Sequence, residues 1–329
     1  TEVSAGVFVS EPETRTGAQK ARFSVKQMLP WFGTITAREN YAGSLAEVDY
    51  LDIAITKRKL RLSVSQSYYR LYAIIKKQEV LDENIQLLRT YERLALTSVE
   101  VGNASAVDVL RLQIRQNELQ ERKEVLMQEM QSEQSVFNNL LNREEALEIQ
   151  MVDSLALDNE LGQITVELDL HPELEKYDRL YESVTQSEIV NQKEGNPNLG
   201  FGLDYIPVAE RSGMDFSDNG KDILMPMVSL SIPIFNNKYK SRSVQNELRQ
   251  AEINAQKTNR RNLLETILNT AINNREAERI KYNTQLKNLA QANDAEEILI
   301  KNYETGTIDF NDVLDIQELQ LKFQTSQIE

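Results

Sequence analysis

The fold of this chain is decided by one motif that occurs twice, EVGNASAVDVLRLQ at residues 100–113 and ETGTIDFNDVLDIQ at residues 304–317. The two copies share Glu, Gly, Asp, Val, Leu and Gln at matching places. A second matching pair lies upstream, LPWF at residues 29–32 and IPIF at residues 232–235. The offset between copies is 304 − 100 = 204 residues for the first pair and 232 − 29 = 203 for the second. Such a repeat predicts one structural unit that is used twice.

Long segments without proline flank both copies of the motif. In the first copy, apolar and long side chains recur every three or four positions, which is typical of a helical seam; they include Val64, Tyr68, Leu71, Ile75, Gln78, Leu81, Ile85 and Leu88. We therefore predict two helical hairpins, one over residues 34–141 with its tip near 101–105, and one over 238–329 with its tip near 305–309.

Alternating segments precede each helical hairpin. Residues 3–29 have the period-two pattern of a β-hairpin, and two further strands are predicted at 198–207 and 222–235. Pro30 follows the first hairpin and Pro233 lies near the end of the last predicted strand. Proline ends a strand ladder because it has no N–H to donate. We expect both prolines to act as swivels between strand and helix. The domain organisation is then a first repeat over 1–141, a mixed segment with a helix over 142–195, and a second repeat over 196–329.

The composition excludes several classes of protein. Acidic residues number 51 against 37 basic ones, a balance of −14 that argues against nucleic-acid binding. The chain has no cysteine and one histidine, so no thiolate or multi-histidine metal site is expected. Phosphate-binding loops and nucleophile motifs are absent from the sequence, and we predict neither a cofactor nor an enzyme.

The number of strands predicts self-assembly. Four strands with one apolar face cannot close a barrel, since about eight is the smallest number that does. An open sheet in a bilayer would leave unpaired edges. We therefore expect several copies to combine, with the polar seam positions of the long helices facing a wet interior.

The repeated strand–proline–helix unit and the paired tips resemble the TolC family of outer-membrane efflux channels over essentially the whole chain. The segment TRTG at residues 14–17, followed by FSVKQMLPWFG at 23–33, is most similar to the CzcC/CusC-like heavy-metal branch. The resemblance implies a mainly α fold with β strands. It also implies a homotrimer that forms an outer-membrane β-barrel of 12 strands and a periplasmic α-helical barrel.

The resemblance further implies a function, a location and partners. The chain would be the passive exit duct of a tripartite efflux pump that exports small molecules or metal cations. It would lie in the outer membrane of a Gram-negative bacterium, with most of its residues in the periplasm. Its partners would be a periplasmic adaptor, an inner-membrane pump of the RND type, and outer-membrane lipid.

The same resemblance assigns roles to residues at the tips. Asp312 and Asp315 match two acidic positions that form rings at the pore constriction, and their i, i+3 spacing independently puts both on one helix face. Tyr303 matches a tyrosine that ties the closed tip to the first repeat, where its partner would be Asp108. The positions that would meet the adaptor are Gly102, Asn103, Ser105, Gly306, Thr307 and Asp309.

Two alternatives follow from the same residues. A periplasmic adaptor also contains a long helical hairpin and strands, but it carries one hairpin per chain, whereas two are predicted here. A coiled-coil scaffold would have no reason to contain the strands. The repeat also predicts that the natural protein extends further, because the counterpart of Leu141 would lie at position 141 + 204 = 345 and no helix precedes Val3.

Overall fold

The computed structural model of the chain describes residues 1–102, 105–155, 167–213 and 215–329. In these ranges the strands are β1 (Glu2–Val7), β2 (Glu13–Thr14), β3 (Gly17–Gln19), β4 (Ala21–Leu29), β5 (Asn198–Ile206), β6 (Val208–Ala209) and β7 (Ile223–Ser231). The α-helices are α1 (Thr34–Glu100), α2 (Ala106–Leu140), α3 (Pro172–Glu194), α4 (Asn237–Glu304) and α5 (Phe310–Ile328). The order of elements confirms the predicted repeat of strand, strand, long helix and return helix.

The chain divides into two compact units. The first comprises Thr1–Ala54 and Glu167–Leu263, and the second comprises Ile55–Val166 and Leu264–Glu329. The first unit contains every strand and α3, whereas the second contains both tips, α2 and α5.

The main sheet of the first unit joins the two repeats. Its order is β1-β4-β5-β7, and all three pairings are antiparallel. The central pairing places β4 of the first repeat beside β5 of the second, with Val25 opposite Leu203. Strands β1 and β7 are the edges, and each pairs on one side only among the described residues.

The register gives this sheet one apolar face. Val3, Val25 and Leu203 are consecutive partners across three strands. Most large side chains of this face are exposed, among them Val3, Phe23, Val25, Phe201, Leu203, Tyr205, Leu224, Val228 and Leu230. The opposite face is mixed, because it carries Met28, Met225 and Met227 as well as small and polar residues. There Ser24 is opposite Asp204, and Asp204 forms an ion pair with Arg22.

A second, three-stranded sheet is formed by β2 and β3, which lie between β1 and β4 in the chain, and by β6. Its order is β2-β3-β6, so the turn of the first repeat pairs with residues that follow β5. Gly17 makes this pairing possible because its φ of +137° belongs to glycine, and a Cβ there would lie 1.8 Å from the Ala209 carbonyl oxygen.

Strands β4 and β7 both end before the prolines, and β7 ends at Ser231, whereas the sequence predicts a strand up to residue 235. Strand β4 ends at Leu29, directly before Pro30, and β7 ends at Ser231, two residues before Pro233. The helix after Pro30 starts at Thr34, whose N–H donates to the Trp31 carbonyl oxygen at 3.0 Å.

The core of the second unit is an apolar cluster formed by helices α1, α2, α4 and α5. It includes the seam positions Leu81, Ile85 and Leu88 of α1, together with Leu112 and Leu119 of α2. The three-to-four-residue spacing of these side chains places them on one face of each helix, where burial of apolar area stabilises the packing. The tips and their acidic residues are attached to this core.

Candidate tip site

The first tip joins α1 to α2. The α1 helix ends at Glu100, and Gly102 follows it with a φ of +80°, a left-handed conformation that favours glycine at a helix end. Its N–H donates to the Val99 carbonyl oxygen at 3.0 Å. Asn103, which the sequence assigns to adaptor contact, lies outside the described residues.

Helix α2 starts with a capping box. The Ser105 hydroxyl accepts a hydrogen bond from the Val107 N–H at 3.2 Å, and the Asp108 carboxylate accepts one from the Ser105 N–H at 3.4 Å. Both bonds satisfy N–H groups that have no partner within the helix. Asp108 is buried, so its negative charge lies close to the first turn of α2.

The second tip joins α4 to α5 in a similar way. Gly306 has a φ of +68°, and its N–H donates to the Tyr303 carbonyl oxygen at 2.9 Å. The Thr307 hydroxyl donates to the Asn302 carbonyl oxygen at 2.8 Å. Asp309 caps α5 by accepting a hydrogen bond from the Asn311 N–H at 2.9 Å.

An aromatic cluster lies beneath the second tip. The rings of Tyr303 and Phe310 are 4.8 Å apart in an edge-to-face arrangement, and the ring of Tyr91 is 5.9 Å from Phe310. Edge-to-face pairs at this separation are favourable beyond their buried area. Phe310 is 1% exposed and therefore fixes the start of α5 against α1 and α4. The sequence analysis did not single out Phe310, although an aromatic residue directly after a helix cap is a usable signal.

Tyr303 lies in this cluster, but it is not hydrogen-bonded to Asp108. Its hydroxyl is buried and has no hydrogen-bond partner of normal geometry among the described residues. Burial raises the pKa of Tyr303, the nearby Ser98 hydroxyl opposes that rise, and the carboxylates of Asp108 and Asp309 add to it. The charges of both tips thus act on one phenol, which stays neutral.

Asp312 and Asp315 lie on α5, three residues apart and both exposed. Within the described ranges, neither carboxylate takes part in a hydrogen bond or an ion pair. Between them is Val313, which is fully buried in the core of the second unit. The helix therefore holds the two carboxylates on its outer face while Val313 anchors its inner face.

Polar contacts also join the two repeats near the tips. The Arg111 guanidinium of α2 donates to the Asn311 side chain of α5. Further along α5, the Gln317 amide is fully buried and donates to the Asn84 side-chain oxygen of α1 at 3.1 Å. Gln317 ends the second motif copy, so the sequence contains this residue but gives no sign of its partner.

One carboxylate bridges three helices in the same unit. Glu296 of α4 accepts hydrogen bonds from the Tyr91 hydroxyl of α1 and, at 2.8 Å, from the Gln320 amide of α5. Burial raises the pKa of Tyr91, and the hydrogen bond to the Glu296 carboxylate raises it further. The sequence analysis missed this bridge because its members are far apart in the chain.

The remaining sequence-predicted residues, Pro30 and Pro233, belong to the first compact unit. No cluster of three acidic, histidine or cysteine side chains within the described ranges is arranged to hold a metal ion. None of the helices in those ranges has a stretch apolar enough to cross a lipid bilayer.

Comparison with known proteins gives structural similarity alone. No protein-family model matches the chain, and no curated protein matches it. Among solved structures, it is similar to the outer membrane protein VceC of Vibrio cholerae, with a TM-score of 0.74 and 15% identity over 99% of this chain and 80% of that one. The chain is also similar to CusC, with a TM-score of 0.77 and 12% identity over 99% of this chain and 78% of that one.

A third solved structure is the open state of the Neisseria gonorrhoeae MtrE outer membrane channel. The TM-score is 0.73, with 14% identity over 99% of this chain and 75% of that one. Identities this low establish the fold. The chain therefore has the TolC-like fold, shared with these outer-membrane proteins, that the repeated motif predicts.

Proposed function

We propose that this chain is one protomer of an outer-membrane exit duct in a tripartite efflux pump. The observation that carries the proposal is the exposed apolar face of the four-stranded sheet. Nine large apolar or aromatic side chains on that face are each between 41% and 73% exposed. A contiguous apolar surface of this extent is unusual for a protein that is surrounded by water, whereas lipid would cover it favourably.

The proposed assembly is a homotrimer, in which edge strand β1 of one copy pairs with edge strand β7 of the next. Unpaired strand edges are costly in lipid, because no water is present to satisfy their N–H and C=O groups. Pairing between copies removes both edges. It also leaves the face that carries Asp204, Arg22 and Ser24 for the aqueous side.

The proposed gate is formed by the tips. Three copies of Asp312 and Asp315 would give two stacked rings of carboxylates, which favour cations and disfavour anions. The exposed and unpaired state of both side chains supports this role. The glycines Gly102 and Gly306 would let a periplasmic adaptor approach the backbone, with Ser105, Thr307 and Asp309 beside them and Asn103 as a further contact.

Transport energy would come from an inner-membrane pump of the RND type, and passage through the duct would be passive. The exported compound is a small molecule or a metal cation. Assignment to the CzcC/CusC-like branch stays a prediction, because the identity to CusC, 12%, is no higher than the 15% to VceC.

Single-channel recording in a planar bilayer tests this function. The expected result is discrete conductance steps that are cation-selective and are reduced by added divalent cations. Two results together would overturn the proposal. They are the absence of conductance steps from proteoliposomes that contain the chain, and a mass in detergent that corresponds to one copy.

A further inference from the structure

A groove with an apolar floor and cationic walls lies in the second unit, where α1, α2 and α5 meet. Its volume is about 490 Å³, within the range of ~300–1,000 Å³ that small-molecule sites occupy. Leu81, Leu126 and Leu321 form the floor, and Val125, half exposed, forms part of the edge. The groove is separate from the tip residues described above.

The charge of the groove is opposite to that of the chain. The groove is lined by four cationic side chains and two anionic ones, whereas the net charge of the whole chain is −14. The cations are Lys77, Arg115, Arg122 and Lys322, and the anions are Glu121 and Glu318. A local excess of positive charge beside apolar surface is the pattern that complements an anion with a hydrocarbon part.

Three of these cationic side chains have N–H donors that form no hydrogen bond within the described ranges. The Arg115 side chain is 12% exposed; its Nη1 forms an ion pair with Glu118 at 2.8 Å, whereas its Nη2 is buried without a hydrogen-bond partner. Nη2 forms a longer ion pair with Glu318, at 3.5 Å, which is not a hydrogen bond. Arg122 and Lys322 are exposed and form no ion pair or hydrogen bond through their side chains within the described ranges.

A buried guanidinium N–H without a hydrogen bond is costly, because the ion pair with Glu318 does not replace the hydrogen bonds to water that it has lost. A carboxylate or sulfonate oxygen in the groove would satisfy Arg115 and would form charge-assisted bonds to Arg122 and Lys322. A neutral ligand would cover the leucines but would bring no negative charge to the cationic side chains. Lys77 is less available, since it forms an ion pair with Glu329 at 2.7 Å.

We propose that this groove binds an amphipathic organic anion, with the acid group at Arg115, Arg122 and Lys322 and the hydrocarbon part against Leu81, Leu126 and Leu321. The site is independent of the acidic rings at the tips. It would let a compound of this class bind the wall of the protein at a defined place.

The test uses the full chain in nanodiscs of phosphatidylcholine, with empty discs as the baseline. The probe is the fluorescent anion anilinonaphthalene sulfonate, and phenylnaphthylamine, which has the same rings and no charge, is the comparison. We expect the anion to bind once per chain and to bind more tightly than the neutral compound. Arg122→Gln with Lys322→Gln should weaken the anion about tenfold and leave the neutral compound unchanged.

The matched control is Arg275→Gln with Lys281→Gln. These exposed cations of α4 lie outside the groove. Their replacement removes the same charge as the groove variant does, so the control should keep the affinity of the original chain. Equal weakening in both double variants would overturn the proposal, because it would show a general effect of net charge. Binding of the anion to the original chain no tighter than to empty discs would overturn it as well.

A cysteine at the edge of the groove gives a second, independent measurement. The chain contains no cysteine, so Val125→Cys provides one thiol for a bulky neutral maleimide. Modification should block the anion by occupying the groove while every cation is retained. Unchanged affinity after complete modification would place the anion elsewhere and contradict the site.

Discussion

The exposed carboxylates of Asp312 and Asp315 carry the gate proposal at the scale of single residues. Replacing both by asparagine keeps their size and removes six charges from three copies. We expect the cation-to-anion permeability ratio to fall at least about twofold and block by divalent cations to weaken, because the rings attract cations electrostatically. Reversal potentials across a salt gradient measure the change.

The matched control for the gate is Glu265→Gln with Asp294→Asn. Both residues are exposed acidic positions on α4 and lie away from the second tip in sequence. The control removes the same charge, so it should change selectivity less. Identical selectivity in the gate variant and the original chain would refute the ring assignment.

Glu188 gives a prediction about pH. Burial by itself raises its pKa, but hydrogen bonds from Ser243 at 2.7 Å, Asn246 at 2.8 Å, Gln192 and Asn191 outweigh that effect and lower the pKa below the ordinary 4.5. A lowered folded-state pKa contributes stability that is fully present above 4.5 and is lost as pH falls through the folded value.

The variant Glu188→Gln should therefore reduce the difference in thermal stability between neutral pH and pH below 4.5. Thermal unfolding across that range measures it. Glu182→Gln, an exposed residue of the same helix, is the control and should leave the pH dependence intact. This role would be contradicted if thermal stability decreased with acid by the same amount in Glu188→Gln as in the original chain.

Gly17 is the residue on which the three-stranded sheet depends. In Gly17→Ala the new Cβ would meet the Ala209 carbonyl oxygen at 1.8 Å, and the φ of +137° would strain any L-residue. We expect the β3–β6 pairing to be lost, with faster amide hydrogen exchange at Ala209 and at Lys20, whose N–H donates to the Pro207 carbonyl oxygen at 3.1 Å. Gly6→Ala, where a Cβ has nothing within 4 Å, should change neither amide.

At the scale of elements, the start of α2 depends on its capping box. Ser105→Ala removes the acceptor for the Val107 N–H, and loss of an N-cap typically costs about 1 kcal/mol. Hydrogen exchange in the first turn of α2 should rise by a factor of about five, whereas Ser105→Asp should restore protection because aspartate is also a good cap. Equal exchange in both variants would mean that the cap does not hold this tip.

The helices and main strands could be predicted from the sequence because each has a local signal. The seam of α1, the glycine of each tip and the prolines that follow β4 and β7 are all visible within a few residues. The three-stranded sheet could not be predicted, since β3 and β6 are two or three residues long and about 190 positions apart, 208 − 19 = 189. Strands so short carry no measurable alternation.

The candidate site likewise contains features that have a local signal in the sequence and features that do not. The positions of Gly102, Gly306, Ser105 and Asp309 at caps are local properties, which the motif itself contains. The surroundings of the buried Tyr303 hydroxyl are not a local property, because they depend on which side chains of α1 and α2 pack around it. Asp108 was predicted as its partner, and the structure instead engages that carboxylate in the α2 capping box.

At the scale of the whole molecule, the sheet is incomplete in one copy. The outward sides of β1 and β7 have unpaired N–H and C=O groups among the described residues, and both strands are apolar on one face. If the edges of neighbouring copies pair with each other, the contact is heterologous, because β1 meets β7 and not another β1. A heterologous contact closes into a ring when its rotation divides a full turn evenly.

Cross-linking tests this closure directly. Ser4 on β1 and Met225 on β7 lie on the same sheet face, since Ser4 pairs with Ser24, Ser24 with Asp204, and Asp204 with Met225. In the double variant Ser4→Cys, Met225→Cys, a short bismaleimide should join copies into covalent dimers and trimers, and nothing larger. The single variants should give monomers only, because a heterologous contact brings two different residues together. Dimers from Ser4→Cys alone would indicate a two-fold contact between β1 strands and would exclude the ring, whereas monomers from the double variant would remove the pairing of edges on which the exit duct depends.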